Sequence, residues 1–413
     1  IALGADEGNI TGALEWAQDQ NDPEKDALVA ALTSGMRQYW FDRARTQEMV
    51  DYLPLGIAAA NTISSTSPTP ANLKRTAHLT LTYGRVLYLI GKSEQAEIVL
   101  EQTLDVFRAM GDRQGEGEAH YGLAELAVFR GRPVEAEVHF QKALAIARER
   151  QDRRGEAENL GGLGEAARLR GRLEESADYY EHALTIDREV GDRQGEGENL
   201  WALGEVARRR GQFEEAAEYL RQALGIYREV QDRRAEGLAL FSLGEVARQR
   251  GRLEEAAASY PQALVIAREV HDRHTEGANL CRLGEVARRR GQLAEARDLL
   301  HEALTIHRDL QDERWQAITL TCSADLALDR GELTQAEALY RESLTLARQG
   351  QNGPEIAGAL LGLGQLLIER LGNPAEGCPM LNEAIQRYAE MGMLEEREAR
   401  LTLQRLGCGR SNQ

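Results

Sequence analysis

Apolar residues recur along most of the chain at the spacing of one face of an α-helix. Within residues 197–210 this face is formed by Leu200, Leu203, Val206 and Ala207. Arg208–Arg210 and then Gly211 follow, and cations before a glycine signal the end of a helix. The next helix is expected to begin near Glu214, and its apolar positions are Ala216, Leu220, Ala223, Leu224 and Tyr227. The pattern predicts a helical hairpin.

The whole pattern returns every forty residues. The glycines that end the first helix are Gly131, Gly171, Gly211, Gly251, Gly291 and Gly331. The aspartates expected to cap the first helix of the next repeat are Asp112, Asp152, Asp192, Asp232, Asp272 and Asp312. A fixed period of this length indicates a solenoid, because each unit has an apolar face that only the next unit can cover. The fold class is therefore expected to be all-α.

The repeated unit resembles the tetratricopeptide repeat. The matching residues in one unit are Leu200, Leu203, Gly204, Ala207, Ala216, Leu220 and Ala223, and equivalent residues stand forty and eighty positions later. The resemblance covers residues 72–392 as about eight repeats. It implies a right-handed superhelix of helical hairpins in which the first helix of each repeat lines the concave face.

The two ends of the chain depart from the repeat. Residues 1–63 predict a helical linker block, with helices near 8–20, 23–41 and 44–61. The Ser/Thr/Pro-rich stretch within residues 64–71 predicts a hinge loop. Residues 393–413 predict a capping helix and a tail, because a solenoid needs a cover for its last apolar face.

The N-terminal block carries a second resemblance. Its pairs Asn9-Ile10, Ala13-Leu14 and Trp16-Ala17, and its run Tyr39-Trp40-Phe41, look like the segment that joins the nucleotide-binding part to the repeats in signal-transduction ATPases with numerous domains (STAND). This resemblance implies a sensor region that binds an inducer, a protein or peptide by preference, and releases an upstream ATPase domain from autoinhibition. We hypothesise that Trp16, Trp40 and Phe41 belong to a segment that masks the inducer site.

Composition limits the possible partners and locations. The formal net charge of −17 argues against a nucleic-acid partner. The four cysteines have unrelated spacings, so we expect no disulfide framework and a cytoplasmic location. There is no apolar run of membrane-spanning length and no signal peptide, so no membrane partner is expected. A start at Ile1 rather than Met suggests a piece of a longer protein.

Catalytic motifs are absent from the sequence. It has no GxxxxGK[ST], GxSxG or HExxH, so we expect neither an enzyme nor a cofactor. His271 and His274 could suggest a metal site, but they fall in a loop whose other copies read QDRR or GDRQ, which favours solvated loop residues. Cys281 and Cys322 lie on the first helices of adjacent repeats, where small packing residues are a simpler interpretation than a redox pair.

The candidate partner-binding residues lie on the first helix of each repeat. An acidic ladder includes Glu165, Glu205, Glu245 and Glu285, and a basic ladder three residues later consists of Arg168, Arg208, Arg248 and Arg288. Four residues before each acid is a position that varies, which we call the inner column: Tyr121, Gly161, Trp201, Phe241, Cys281, Thr321 and Leu361. Tyr121, Trp201 and Phe241 are its candidate aromatic anchors, because aromatic residues and arginines dominate interface hot spots.

Two interpretations remain open for each set. The two ladders either neutralise each other, or the arginine ladder binds an acidic segment of a partner. The aromatic side chains either pack between repeats or anchor a partner. Binding through the arginines would weaken as salt rises, whereas an aromatic anchor would be lost in Trp201→Ala. The alternatives to a STAND sensor are a free-standing scaffold with the same fold and a helical accessory domain of a catalytic protein.

Overall fold

The computed structural model describes residues 12–14, 16, 24–42, 46–393 and 395–408. For residues 24, 37–42 and 46 it describes the helical backbone alone, so the side chains of Trp40 and Phe41 lie outside the described residues, as does most of the helix expected over 8–20. The described residues form α-helices and turns, with no strand among them. The all-α fold class predicted from the repeat is confirmed.

The helices follow one another in pairs. Their bounds are α1 Glu24–Asp42, α2 Thr46–Thr66, α3 Pro70–Leu89, α4 Ser93–Met110, α5 Arg113–Phe129, α6 Pro133–Glu149, α7 Arg153–Leu169, α8 Leu173–Val190, α9 Arg193–Arg209, α10 Phe213–Val230, α11 Arg233–Gln249, α12 Leu253–Glu269, α13 Arg273–Arg289, α14 Leu293–Asp309, α15 Glu313–Asp329, α16 Leu333–Gln349, α17 Gly353–Glu369, α18 Pro374–Glu390 and α19 Glu395–Arg405. The eight hairpins from α3–α4 to α17–α18 are called repeats 1 to 8.

The turns of each repeat use two local devices. Gly211 has φ +76°, and the equivalent glycines share this left-handed conformation, which glycine adopts without a steric penalty. The carboxylate of Asp232 then accepts a hydrogen bond from the backbone N–H of Ala235 at 2.9 Å, which caps α11. These residues recur at the same place in repeats 2 to 7, so the helices of these hairpins begin at the same points of the period.

The chain forms two compact units, residues 1–192 and 193–413, which we call unit 1 and unit 2. In both units the paired helices approach closely over small residues. In unit 2 Ala216 is fully buried, and a Cβ added to Gly204 would lie 2.7 Å from Leu220. The core of each unit is a stack of such contacts.

The N-terminal helices pack against the first repeat of unit 1. Helices α1 and α2 form a hairpin, and both contact α3. Val29 and Leu53 are buried in the same core as Leu79 and Val86 of α3, while Trp16 is 58% exposed. Helix α2 continues to Thr66 and α3 begins at Pro70, and the side-chain amide of Asn72 donates to the carbonyl of Ser67 at 2.9 Å between them.

The C-terminal helix α19 covers the end of repeat 8. Ala399 is fully buried in one cluster with Ala357, Ile385 and Tyr388. Cys378 on α18 and Cys408 beyond α19 form a disulfide, with Cα atoms 5.4 Å apart. The expectation of no disulfide framework missed this pair, since the return of the chain over α18 brings together two residues whose spacing carries no signal.

Among the helices described, none is both long enough and apolar enough to span a bilayer.

Candidate functional site

The aromatic residues of the inner column are half-buried on the first helices. In unit 1 the ring of Tyr121 meets Phe140 edge-on at 5.6 Å, and the Arg85 guanidinium lies 5.4 Å from the same ring. In unit 2 the indole N–H of Trp201 donates to Ser242 Oγ at 3.1 Å, and Phe241 lies 5.8 Å from the ring of Tyr260. These side chains join neighbouring helices and also leave part of each ring open to solvent.

The two charged ladders pair with each other. In unit 1 Arg168 Nε donates to Glu165 at 2.6 Å. In unit 2 the ion pairs Arg208–Glu205 and Arg248–Glu245 measure 2.8 and 3.0 Å.

Two ladder arginines also reach the next repeat. Arg248 contacts Glu285 at 3.1 Å, and Arg288 contacts Asp325 at 3.3 Å and Asp329 at 2.7 Å. The basic ladder is therefore engaged mainly inside the stack.

Tyrosines of the second helices hold the acidic ladder from behind. Tyr180 donates to Glu165 at 3.2 Å, and Tyr260 donates to Glu245 at 2.6 Å. Tyr340 donates to Asp325 in the same way. Sequence reasoning missed these residues, although their eighty-residue spacing was a readable signal.

Four charged side chains form a compact network in unit 2. Arg282 lies 3.0 Å from Glu245 and 3.2 Å from Glu285, which adds to the two contacts of Arg248. Burial alone would raise the pKa of Glu245, but Arg282 and Arg248 hold it well below its usual value. The carboxylates therefore stay ionised, and the network links α11 to α13.

Two residues of unit 2 are large at positions where repeats 2 to 5 have small residues. Arg282 occupies the position of Gly122, Gly162, Ala202, Ser242, Cys322 and Gly362. Trp315 occupies the position of Gly115, Gly155, Gly195, Ala235 and Thr275, whereas repeats 1 and 8 have Arg75 and Glu355 there.

These two residues meet each other. The Arg282 guanidinium lies 5.3 Å from the Trp315 ring, which is also 6.4 Å from Phe241 and stacks on His307 at 5.5 Å. Sequence reasoning did not single out either residue.

The other candidate groups of the sequence have ordinary partners. His274 pairs with Asp312 at 3.0 Å, and this hydrogen bond raises the pKa of His274. Cys281 and Cys322 are buried in one core cluster, where hydrogen bonding between them lowers the pKa of the Cys281 thiol and raises that of Cys322.

An open cavity in unit 2 is lined by polar and charged side chains. Its volume is about 590 Å³, and its lining residues are Arg228, Gln231, Arg233 and Glu236. Glu236 already pairs with Arg228 at 2.8 Å and with Arg233 at 2.5 Å. The arrangement suits side-chain recognition on helix surfaces better than chemistry in a cleft.

Solved structures with the same fold include proteins that bind partners. The apo quorum sensor NprR from B. thuringiensis has a TM-score of 0.61 and 14% identity, over 84% of this chain and 99% of that one. A Rap protein complexed with Competence and Sporulation Factor has a TM-score of 0.59 and 14% identity, over 94% of this chain and 97% of that one.

A STAND protein with a tetratricopeptide repeat sensor, from Pyrococcus horikoshii, also matches. Its TM-score is 0.54 and its identity 17%, over 87% of this chain but 55% of that one. At these identities the likeness shows the fold. Among curated proteins, no sequence matches this chain.

Family models settle the type of repeat. One model described as tetratricopeptide repeat matches residues 75–149, 155–229 and 236–309, and a second model of the same description matches 201–269 and 323–391. These matches cover well over half of the chain. The chain belongs to the tetratricopeptide repeat family.

Proposed function

We propose that this chain is a sensor domain that binds a segment of a protein or peptide on its first helices. The observation that carries the proposal is the inner column, whose aromatic side chains stay half-buried while the packing positions around them repeat. Trp201 and Phe241 in unit 2 are its anchors, because a rigid aromatic ring in a partly desolvated setting contributes most to an interface. Tyr121 is the corresponding residue of unit 1.

The pairing within the ladders separates two ways of binding. Arg168, Arg208, Arg248 and Arg288 are each engaged by carboxylates of the stack. A partner that used them would have to displace those carboxylates, so we assign these arginines and their glutamates the role of fixing the first helices. The aromatic residues then carry the binding free energy.

A displayed library of random peptides, selected against the whole chain, tests this proposal. We expect the selected peptides to lose at least tenfold in affinity in Trp201→Ala or Phe241→Ala, since truncating a hot-spot residue costs about 2 kcal/mol. Val265→Ala is the matched control, because Val265 is 55% exposed on the second helix α12. Failure to select any peptide, or loss of binding in Val265→Ala alone, would sink the proposal.

The larger role that fits this binding is the sensor of a STAND-type switch. The P. horikoshii structure supports it through the shared fold, and the N-terminal block of this chain resembles the linker of that family. In this proposal the inducer shifts the switch by its difference in affinity for the two states, and residues 1–63 modulate access to the first helices. A phosphate-binding loop encoded upstream of Ile1 supports the role, whereas a start codon directly before Ile1 contradicts it.

A free-standing receptor or adaptor is the second candidate. It is favoured by the match to NprR, a quorum sensor whose chain is covered over 99% of its length. This candidate predicts the same peptide binding without a nucleotide-linked switch.

A further inference from the structure

Neighbouring first helices of unit 2 meet through pairs of positions that are forty-one residues apart. One member is a residue of the inner column, and the other directly follows the inner-column position of the next repeat. Trp201 and Ser242 form such a pair, in which the indole N–H donates to Ser242 Oγ at 3.1 Å. Because the period is constant here, the same register brings Cys281 on α13 against Cys322 on α15.

The chemistry of this pair of positions changes from one repeat to the next. The other pairs of unit 2 combine an aromatic or polar residue with a different partner, and they are Trp201 with Ser242, Phe241 with Arg282, and Thr321 with Gly362. Only the pair that joins repeats 6 and 7 has a thiol on both helices. Close packing would need only small side chains, so two facing thiols add an oxidation chemistry that the stack itself does not require.

The two thiols lie close together in the core of unit 2. Cα atoms of α13 and α15 approach within 8 Å, and both cysteines belong to one core cluster. Cys281 is fully buried, Cys322 is 7% exposed, and neither is part of a disulfide. A disulfide needs Cα atoms within about 7 Å, a separation that residues in contact between packed helices reach.

The surroundings give the two sulfurs different chemical characters. The hydrogen bond from the Cys322 thiol lowers the pKa of Cys281, and the charge of Arg282 adds to this effect, while burial opposes it. The same hydrogen bond and burial raise the pKa of Cys322. Because the thiolate is the reactive form of cysteine, Cys281 is the nucleophile of the pair and Cys322 is the second thiol that attacks afterwards.

We propose that Cys281 and Cys322 are a peroxide-oxidisable pair that closes to a reversible disulfide between repeats 6 and 7. The Cys281 thiolate attacks one oxygen of hydrogen peroxide, the O–O bond breaks, and the hydroxide that leaves takes up a proton as water. Cys281 is then a sulfenic acid. The Cys322 sulfur loses its proton and attacks the Cys281 sulfur, the S–O bond breaks, and a second water leaves.

In total, two thiols and one hydrogen peroxide give one disulfide and two waters, and an added dithiol reverses the oxidation. Burial favours a small oxidant, since hydrogen peroxide is little larger than water whereas glutathione disulfide is a bulky peptide. The new bond would fix the spacing of α13 and α15 at the inner column. This inference is independent of the proposed function, because it requires no bound partner.

Peptide mapping of the whole folded chain after peroxide treatment tests the proposal. The treated chain is unfolded, its remaining thiols are alkylated, and the unreduced tryptic peptides are identified by mass spectrometry. We expect peptides 274–282 and 315–330 to be joined, and the alkylated thiols to fall from two per chain to none. Dithiothreitol should separate the two peptides, and the Cys378–Cys408 link should be present before treatment as an internal standard.

Two variants separate the roles of the cysteines. Cys322→Ser should leave Cys281 as a sulfenic acid that dimedone labels, whereas Cys281→Ser should leave Cys322 fully alkylated at the same peroxide concentration. Both thiols still alkylated in the treated wild type, oxidation of Cys281 beyond the sulfenic acid without joined peptides, or joining of either cysteine to Cys378 or Cys408 would each overturn the proposal. So would a link that forms only when the chain is treated in urea, because the fold would then not bring the thiols together.

Discussion

At the scale of single residues, buried charged side chains have the largest expected effect on stability. Glu245 is 7% exposed and faces two guanidinium groups, from Arg248 on its own helix and from Arg282 on the next. A buried ion pair contributes little compared with a well-packed apolar pair, but removing one partner is costly because the other charge remains buried. The network in unit 2 therefore makes its four members interdependent.

Neutralising Glu245 should destabilise unit 2. We expect Glu245→Gln to lower the free energy of unfolding by about 3 kcal/mol at neutral pH, measured by urea denaturation. Because the folded-state pKa of Glu245 is lowered, its contribution is complete above the unfolded value near 4.3 and is lost as the pH falls below it.

The difference in the free energy of unfolding between wild type and Glu245→Gln should therefore become smaller as the pH falls below about 4. Glu218→Gln is the control, since Glu218 and Arg221 are both 60% exposed and such a pair contributes about 0.5 kcal/mol. Equal effects of the two substitutions would contradict the role of the buried network.

A histidine pair should make unit 1 sensitive to mild acid. His120 is 2% exposed, and its Nδ1 lies 3.0 Å from Nδ1 of His139. Burial and the charge of His139 lower the pKa of His120 to about 4, whereas an unfolded histidine titrates near 6.5. Between these values the unfolded state takes up a proton that the folded state does not, so stability falls as the pH decreases.

Thermal unfolding between pH 7 and pH 4 measures this effect. The slope for one such group is at most about 1.4 kcal/mol per pH unit, and His120→Gln should reduce the slope. His182→Gln, at an exposed position of α8, should leave the slope as it is. If the slope of unfolding free energy against pH is unchanged in His120→Gln, His120 does not cause the acid sensitivity.

At the scale of helices, glycine has two structural roles in the forty-residue repeat: it ends helices and it allows two helices to pack closely. Gly211 ends a helix in a left-handed conformation, whereas Gly204 lies inside α9 and lets α10 approach. A Cβ at Gly204 would lie 2.7 Å from Leu220 and 3.3 Å from the carbonyl of Ala216. By contrast, Gly225 inside α10 has nothing within 4 Å of such a Cβ.

Alanine at these two helical glycines should have opposite effects. Gly204→Ala should destabilise unit 2 by about 1–2 kcal/mol, because overpacking outweighs the better helix propensity of alanine. Gly225→Ala should stabilise it by about 0.5–1 kcal/mol, since only the propensity changes. Urea denaturation of both variants decides the matter, and a stabilising Gly204→Ala would show that the helices are not in close contact there.

The helices were predictable because their signals are local. A glycine, a capping aspartate and a 3.6-residue apolar period lie within one repeat, so the hairpins follow from sequence alone. The Arg282–Trp315 contact and the Cys378–Cys408 disulfide were not predictable, because each joins residues more than twenty-five positions apart with no repeated partner. The sequence signal for the first contact was a large residue at two positions that are small in repeats 2 to 5.

At the scale of the whole molecule, the packing residues repeat from one hairpin to the next, whereas the residues of the inner column vary. The ladders and the tyrosines behind them hold the first helices at fixed spacing in each unit. The inner column varies from repeat to repeat, and in unit 2 it includes the half-buried aromatic side chains of Trp201 and Phe241. A framework of this kind recognises a partner through the positions that the packing does not need.

Photo-crosslinking of a selected peptide to the whole chain tests this claim most directly. A benzophenone in the peptide, followed by peptide mapping, should label the first helices α9 and α11 near Trp201 and Phe241. Labelling confined to the second helices, for example around Arg221 or Val265, would contradict the proposal. The residues of the inner column lie on the first helices, so such labelling would place the bound peptide away from them.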